Sequence, residues 1–383
     1  MAADPDRYAG REQARVKHYF LRIYLERLIH KIASAYDEVA YVDGFSGPWQ
    51  STNENYEDTS FGIALQALRA AKNYWKDHGR DVRMSAFLVE RSVTAYRKLA
   101  TVKDKFPDIE LSTYNEDFIE IAAILSTQIP PKAFAFVLID PKGWNIDIMK
   151  LAPLLQRANS EVVFNFMFDF INRAASMNEP ATIAGLNALM PFEGWREKLS
   201  AALTSEARKG VLIEAFRETL MKVGNYRYVA ETPVLRPLKD RTLYSLFYGT
   251  RQPPGIEVFR DCQIKTLREQ DRVRIETKIK EQQRTSGQGE LFASSVPVRD
   301  DDLPIDIEKE RLEAERTLLE LTPKAPHAVA YGEIWPLVLA KHAVRRTELN
   351  NIAARLKKSE SLLFPEWGVR KRVPDDGYRM SRP

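Results

Sequence analysis

Between residues 38 and 250, short and nearly unbroken apolar runs alternate with helical patterns of roughly 10–15 residues, and this alternation leaves few folds open. The runs Ala133–Ile139 (AFAFVLI) and Glu161–Met167 (EVVFNFM) lack the in–out alternation of a half-solvated strand. They suit strands covered on both faces, as in a parallel sheet with helices on either side. Further strands are expected at Glu38–Val42, Arg83–Val89 and Ile109–Tyr114. Helices are expected at 11–34, Gly62–Lys76, Ser92–Lys103, Phe118–Thr127 and Ile146–Arg157. Two later strands, Tyr226–Val234 and Thr242–Thr250, flank a short basic turn and read as an antiparallel hairpin closing the edge of the sheet. The fold class is therefore α/β, mostly parallel with an antiparallel edge strand.

At 383 residues the chain is too long for one ordinary core. We expect an α/β domain over 1–262, interrupted by a helical insertion at about 174–225. A charged helical linker over 263–321 follows, with a polar Gly/Ser stretch at Ser286–Ser295. From 322 to 383 the pattern is helices at Tyr331–His342 and Arg346–Leu362, then a turn-containing segment with Trp367 and Pro374-Asp375-Asp376-Gly377. Helices followed by a hairpin describe a winged helix-turn-helix domain. Residues 324–383 carry 12 Lys and Arg against 6 Asp and Glu, while the whole chain is only +4, so the body is slightly acidic and the tail basic. A basic module of this kind suggests a polyanionic partner such as DNA or RNA, although winged helices also dock proteins. Thr347 is a candidate cap for a recognition helix exposing Arg355, Lys357 and Lys358. Arg370, Lys371 and Arg372 would meet phosphates from the wing.

The single cysteine, Cys262, excludes an internal disulfide framework and a cysteine zinc site. The five histidines form neither HxH nor HExxH, so no metal site is expected. The opening segment has no apolar stretch of a secretory signal, and nowhere do about 18 apolar residues run together, so the expected location is cytoplasmic.

Chemistry is expected at the carboxyl ends of the strands, where open α/β sheets bind ligands. The turn Asp43-Gly44-Phe45-Ser46-Gly47 follows the first strand and offers close backbone approach, but it is not the GxGxxG of dinucleotide sites. Glu90 ends the second strand, where an acid accepts from ribose hydroxyls. Asp117 follows the third and would meet an adenine amine, although it also suits a helix cap. Asp140-Pro141-Lys142-Gly143-Trp144 follows the fourth. There a carboxylate and the Pro141 carbonyl would hold an exocyclic amine while an aromatic ring stacks on the base, as for a flipped nucleobase. Asp-Pro-x-Gly is also an ordinary strand-to-helix turn.

Five segments together, YVDGFSGPW (41–49), FLVER (87–91), FVLIDPKGW (136–144), VVFNFMFDFINR (162–173) and TLYSLFYGTR (242–251), resemble the three-Cys-motif partner proteins. The helix bearing Lys17, His18, Leu21 and Tyr24 and the tail from Tyr331 fit the same resemblance. It implies a Rossmann-like methyltransferase fold with a C-terminal winged helix, S-adenosylmethionine as cofactor, and a separate radical-type protein with a three-cysteine motif as partner. Asp43, Gly44 and Gly47 would line the cofactor loop, with Phe45 and Ser46 between them, and Glu90 would be the ribose acid. Asp140, Pro141 and Trp144 would face the substrate, and Asn165, Asp169, Asn172 and Arg173 would lie close to the same crevice. Two departures stand out. Ser46 and Trp49 replace a small residue and a glycine, and Lys142 sits where the family often has Phe, which weakens the case for amine chemistry. The implied function is a nucleic-acid methyltransferase; the alternative is a non-catalytic Rossmann-like scaffold that positions nucleic acid for the radical enzyme.

Overall fold

Runs of branched and aromatic residues become strands, and each strand hands the chain to a helix through a short polar cap. The structure, a computed structural model, describes residues 8, 10–47, 51, 56–286, 303, 305–368 and 370–383. The chain divides into two units, 1–251 and 252–383.

In the first unit, α1 (Glu12–Ala33) precedes β1 (Glu38–Asp43), and α2 (Ser60–Asp77) leads to β2 (Arg83–Val89). Then α3 (Val93–Ala100) leads to β3 (Glu110–Tyr114), and α4 (Phe118–Gln128) to β4 (Phe134–Ile139). Side chains cap three of these helices: Thr59 accepts from the Gly62 N–H, Ser92 from Ala95 and Asp117 from Ile119. After β4 the expected helix over Ile146–Arg157 is broken up. Residues Ile148–Leu151 form a 3-10 turn capped by Asp147, and only Ala152–Leu155 is α-helical (α5). Pro153 has no N–H to continue the preceding turn, so the helix restarts there.

Next come β5 (Ser160–Phe166), α6 (Phe168–Ala174), α7 (Pro180–Leu189), α8 (Trp195–Ala201) and α9 (Ser205–Gly224). The last two strands are β6 (Tyr228–Leu235) and β7 (Thr242–Thr250). The stretch expected as an insertion includes α9, which is part of the core. Leu212, Phe216, Leu220 and Val223 pack with Phe164, Phe166 and Phe247 of the sheet. Asn225, at φ 52°, ends α9 in the left-handed region that asparagine tolerates.

The seven strands lie in the order β3-β2-β1-β4-β5-β7-β6. The strands β1 to β5 pair in parallel, and β7 runs antiparallel to both β5 and β6. The mostly parallel sheet with one reversed strand is as expected. The reversed strand is however not the edge: β6 is outermost and β7 lies one place in, wedged against β5. Every residue of β4 and β5 is buried. Two buried acids sit in this sheet, Asp43 at the end of β1 and Glu161 in β5. Glu161 accepts from the Tyr24 hydroxyl at 2.7 Å and the Thr250 hydroxyl at 3.0 Å. Burial pushes its carboxyl above the usual range, and hydrogen bonds from Tyr24, Tyr248 and Thr250 only partly offset this.

The second unit begins with α10 (Pro253–Ser286), a 34-residue helix that runs straight through the expected boundary at 262/263. It buries Cys262. Then follow α11 (Ile307–Leu321), β8 (Val329–Ala330), α12 (Tyr331–Lys341), α13 (Arg346–Lys358) and β9 (Arg379–Met380). The expected hairpin after α13 does not form as regular strands among the described residues. Instead β9 pairs antiparallel with β8, and a single bridge, Leu363 to Ser381, closes the loop between them. Thr347 is not the cap of α13. Arg345 holds that position, and its N–H donates to Glu348 at 2.9 Å. Among the described residues no helix is long and apolar enough to cross a membrane.

Candidate functional site

The strand order reverses direction between β1 and β4, which is where open α/β sheets bind ligands. A cleft of about 680 Å³ opens there, within the range of small-molecule sites. It is lined by Gly44, Phe45 and Gly47 after β1, Glu90 and Arg91 after β2, and Asp117 before α4. Asp140 to Gly143 after β4, with Asn165 and Met167 at the end of β5, complete the opposite wall.

Asp43 and Ser46 do not line this cleft; they build its floor. Asp43 is fully buried. Its Oδ1 accepts from the Phe45 N–H at 2.9 Å, and its Oδ2 from the Tyr41 hydroxyl at 3.0 Å and the Ser60 hydroxyl at 2.8 Å. Burial pushes the Asp43 carboxyl up, against the pull of the Phe45 N–H and the Ser60 hydroxyl. Ser46 donates through its hydroxyl to the Asp43 carbonyl and through its N–H to the Val89 carbonyl. Gly44 lines the cleft and also has a packing reason. A Cβ there would lie 2.5 Å from the Phe118 ring, and a buried ring has nowhere to move.

Glu90 lines the cleft and accepts from the Ser92 N–H with Oε1 at 2.6 Å, which fixes the side chain at the strand end. Asp117 lines the cleft but is already engaged. Its Oδ1 caps α4 from 3.0 Å, and its Oδ2 lies 3.3 Å from Arg91. The capping role competes with any contact to an adenine amine.

Asp140 is held from two sides. Lys17 of α1 pairs with Oδ2, and the Asn165 amide donates to Oδ1 at 2.5 Å. Asn165 Oδ1 is then left buried without a hydrogen-bond partner, on the cleft wall. An unpaired buried acceptor is costly, and a ligand N–H or O–H satisfies it. Pro141 lines the cleft, but Trp144 does not. It is half-buried against the core, beside Gly185 of α7, where a Cβ would meet the indole at 3.5 Å. The expected stacking face for a base is therefore turned away from the cleft. Trp49 lies outside the described residues. Asn165 is at the cleft as expected, whereas Asp169, Asn172 and Arg173 are not among its lining residues.

Sequence reasoning missed the roof. Arg11, Gln13, Ala14, Lys17 and His18 of the α1 segment line the cleft, as does Tyr244 of β7, whose hydroxyl donates to the Gln13 carbonyl at 2.6 Å. The α1 sequence is polar at many positions, so its pattern alone does not single out the residues that face the cleft. His18 is buried with Nδ1 3.1 Å from the Tyr8 hydroxyl. Burial, and then the charges of Lys17, Arg11 and Arg22, hold its imidazole well below the ordinary value. In the unfolded chain it titrates near 6.5. The unfolded state therefore binds the proton first, so stability is intact above about pH 6.5 and falls as the pH drops below it. Chemical denaturation at pH 7.5 and 5.5 is expected to show that loss, limited to about 1.4 kcal/mol per pH unit for one group. His18→Gln should flatten the slope. His342 in the second unit is also lowered, chiefly by burial, so the difference between variant and parent is the quantity to read.

Among the basic tail residues, Arg355 pairs with Glu315 and Lys371 with Asp375, while Lys357 donates to the Trp367 carbonyl. Lys358, Arg370 and Arg372 are exposed. Among the described residues, no group of three His, Cys, Asp or Glu side chains converges as a metal site would require.

No family model matches the chain, and no curated protein matches it in sequence. Among solved structures it is similar to a DUF519 protein from Legionella pneumophila, at 12% identity and a TM-score of 0.39, over 65% of this chain and 90% of that one. It is also similar to loganic acid methyltransferase with SAH, at 8% identity and a TM-score of 0.28, over 72% of this chain and 91% of the other.

Proposed function

We propose that the protein is an S-adenosylmethionine-dependent methyltransferase acting on nucleic acid, in partnership with a three-cysteine-motif protein. The observation that carries this reading is the cleft at the β1/β4 switch point, with an acid at the end of β2 and an unsatisfied acceptor at the end of β5. The donor and acceptor set fits the cofactor. Glu90 keeps one carboxylate oxygen on the Ser92 N–H and offers the other to ribose hydroxyls. The 44–47 backbone, shaped by buried Asp43, flanks the same space. When bound, the cofactor supplies an electrophilic methyl group. The protein's part is then to hold the acceptor in line and keep water out. Asn165 Oδ1 accepts from the target's N–H or O–H, Asp140 and Lys17 fix the asparagine amide, and the α1 segment roofs the reacting centre.

A non-catalytic scaffold is the second reading, and one observation favours it. Each Asp140 oxygen already has one partner, Lys17 or Asn165, so an incoming amine would have to share an engaged oxygen beside a lysine charge. Calorimetric titration with S-adenosylmethionine and S-adenosylhomocysteine separates the two. Saturable binding weakened about tenfold in Glu90→Gln, which retains the Ser92 contact but loses a charge-assisted acceptor, supports the enzyme. A folded protein that binds neither is the scaffold. The tail, with its exposed Lys358, Arg370 and Arg372, is on this reading a winged-helix-like contact to phosphates.

A further inference from the structure

The turn between β6 and β7 and the start of α6 together gather more positive charge than their two acids neutralise. Asp169, at the start of α6, is 1% exposed. Its Oδ2 lies 2.5 Å from Arg236 and 3.6 Å from Arg173, and its Oδ1 lies 2.6 Å from Arg241. Burial pulls the Asp169 carboxyl up, but the Arg236 hydrogen bond and the charges of Arg241, Arg236 and Arg173 outweigh it and hold the group below the usual range. Lys239 and Asp240 complete the turn, so four cations face two carboxylates. The acid is at the centre and hidden; the three guanidinium groups are half-exposed around it. Arg173 also stacks over the exposed Phe170 ring at 4.9 Å.

This cluster lies at the same end of the sheet as the cleft. Met167 and Leu243, two residues from Asp169 and Arg241, are both cleft-lining. On the tail, by contrast, Arg355 and Lys371 each pair with one acid of their own. Arginine forks held in place by a buried carboxylate match phosphate oxygens with little ordering cost.

We propose that Arg173, Arg236 and Arg241 form a phosphodiester-binding site that grips the strand whose target group enters the cleft, an inference that rests on the nucleic-acid reading above. The experiment is fluorescence anisotropy of the full-length protein with single-stranded RNA and DNA oligonucleotides of one sequence, from about 50 to about 200 mM salt. The Arg236→Gln/Arg241→Gln variant is expected to bind at least about tenfold more weakly, with a log–log salt slope shallower by about 2. Arg236→Lys/Arg241→Lys should keep most of the slope and lose affinity a few-fold, because charge survives but the fork does not. Lys239→Glu, at an exposed position that cannot disturb the core, should also weaken binding a few-fold. Whichever oligonucleotide shows these losses is the source of the phosphodiester. Wild-type protein that binds neither, or Lys239→Glu and the glutamine variant binding like wild type, overturns the proposal. S-adenosylhomocysteine titration of the same samples reports on the enzyme reading separately. Protein that loses oligonucleotide through these changes but never binds cofactor keeps this site and forfeits that reading.

Discussion

Asp43→Ala is expected to abolish S-adenosylhomocysteine binding and to lower the unfolding free energy by about 4 kcal/mol, measured by calorimetry and urea denaturation. Three donors, the Phe45 N–H and the Tyr41 and Ser60 hydroxyls, converge on this carboxylate in a fully buried site. Removing it orphans all three, at about 1–3 kcal/mol each before relaxation. The loop then loses the bond that turns Phe45 back toward β1, and Phe45 is one of the residues whose placement shapes the cleft. Asp43→Asn should cost less, because one amide oxygen still accepts while the NH2 faces donors. Wild-type stability with lost binding would mean that Asp43 touches the ligand directly. Wild-type behaviour in both measurements would remove the cofactor from this cleft.

The second large effect is expected in the other unit. Arg260 of α10 is only 2% exposed, and its guanidinium donates to the Leu339 carbonyl at 2.6 Å, the Ala340 carbonyl at 3.1 Å and the Gln263 side-chain oxygen at 2.5 Å. Leu339 and Ala340 lie in the last turn of α12, where carbonyls lack intrahelical partners and the helix end is negative. Arg260→Ala removes these three hydrogen bonds and opens a cavity, and should cost about 3–5 kcal/mol. Hydrogen exchange should show α12 losing protection first. Arg260→Lys, with a point charge in place of a fork, should recover only part of the loss. Full protection in Arg260→Ala would mean that packing alone holds α12.

Strands and the Asp117 cap were legible because their causes are local, whereas the cap of α13 is Arg345 and not the expected Thr347. The runs at β4 and β5 are apolar throughout, and Thr59, Ser92 and Asp117 stand immediately before their helices. The helix expected over Ile146–Arg157 had the right periodicity, but Asp147 and Pro153 impose local hydrogen-bonding constraints that periodicity ignores. The acids expected at the strand ends differ in where the structure places them: Glu90, Asp117 and Asp140 line the cleft and Asp43 is buried behind it. Nothing in DGFSG says that Asp43 points inward to Tyr41 and Ser60, or that Gly44 is there for Phe118. Trp144 turns toward Gly185 for a tertiary reason, and Lys17 reaches Asp140 from a helix more than a hundred residues away in sequence. The arginine cluster was legible only as a basic turn, because the acid that organises it belongs to α6.

The strand order also bears on when the cleft comes into being. The β6–β7 pair joins residues such as Val234 and Tyr244, which are close in sequence, and can form early. The β1–β4 pair joins Val39 to Phe134, so its register must wait for a long loop to close. The binding site straddles that late seam. On this topology the basic turn is expected to close before the cleft does, so a small molecule that bridges β1 and β4 would be expected to slow unfolding more than to speed folding.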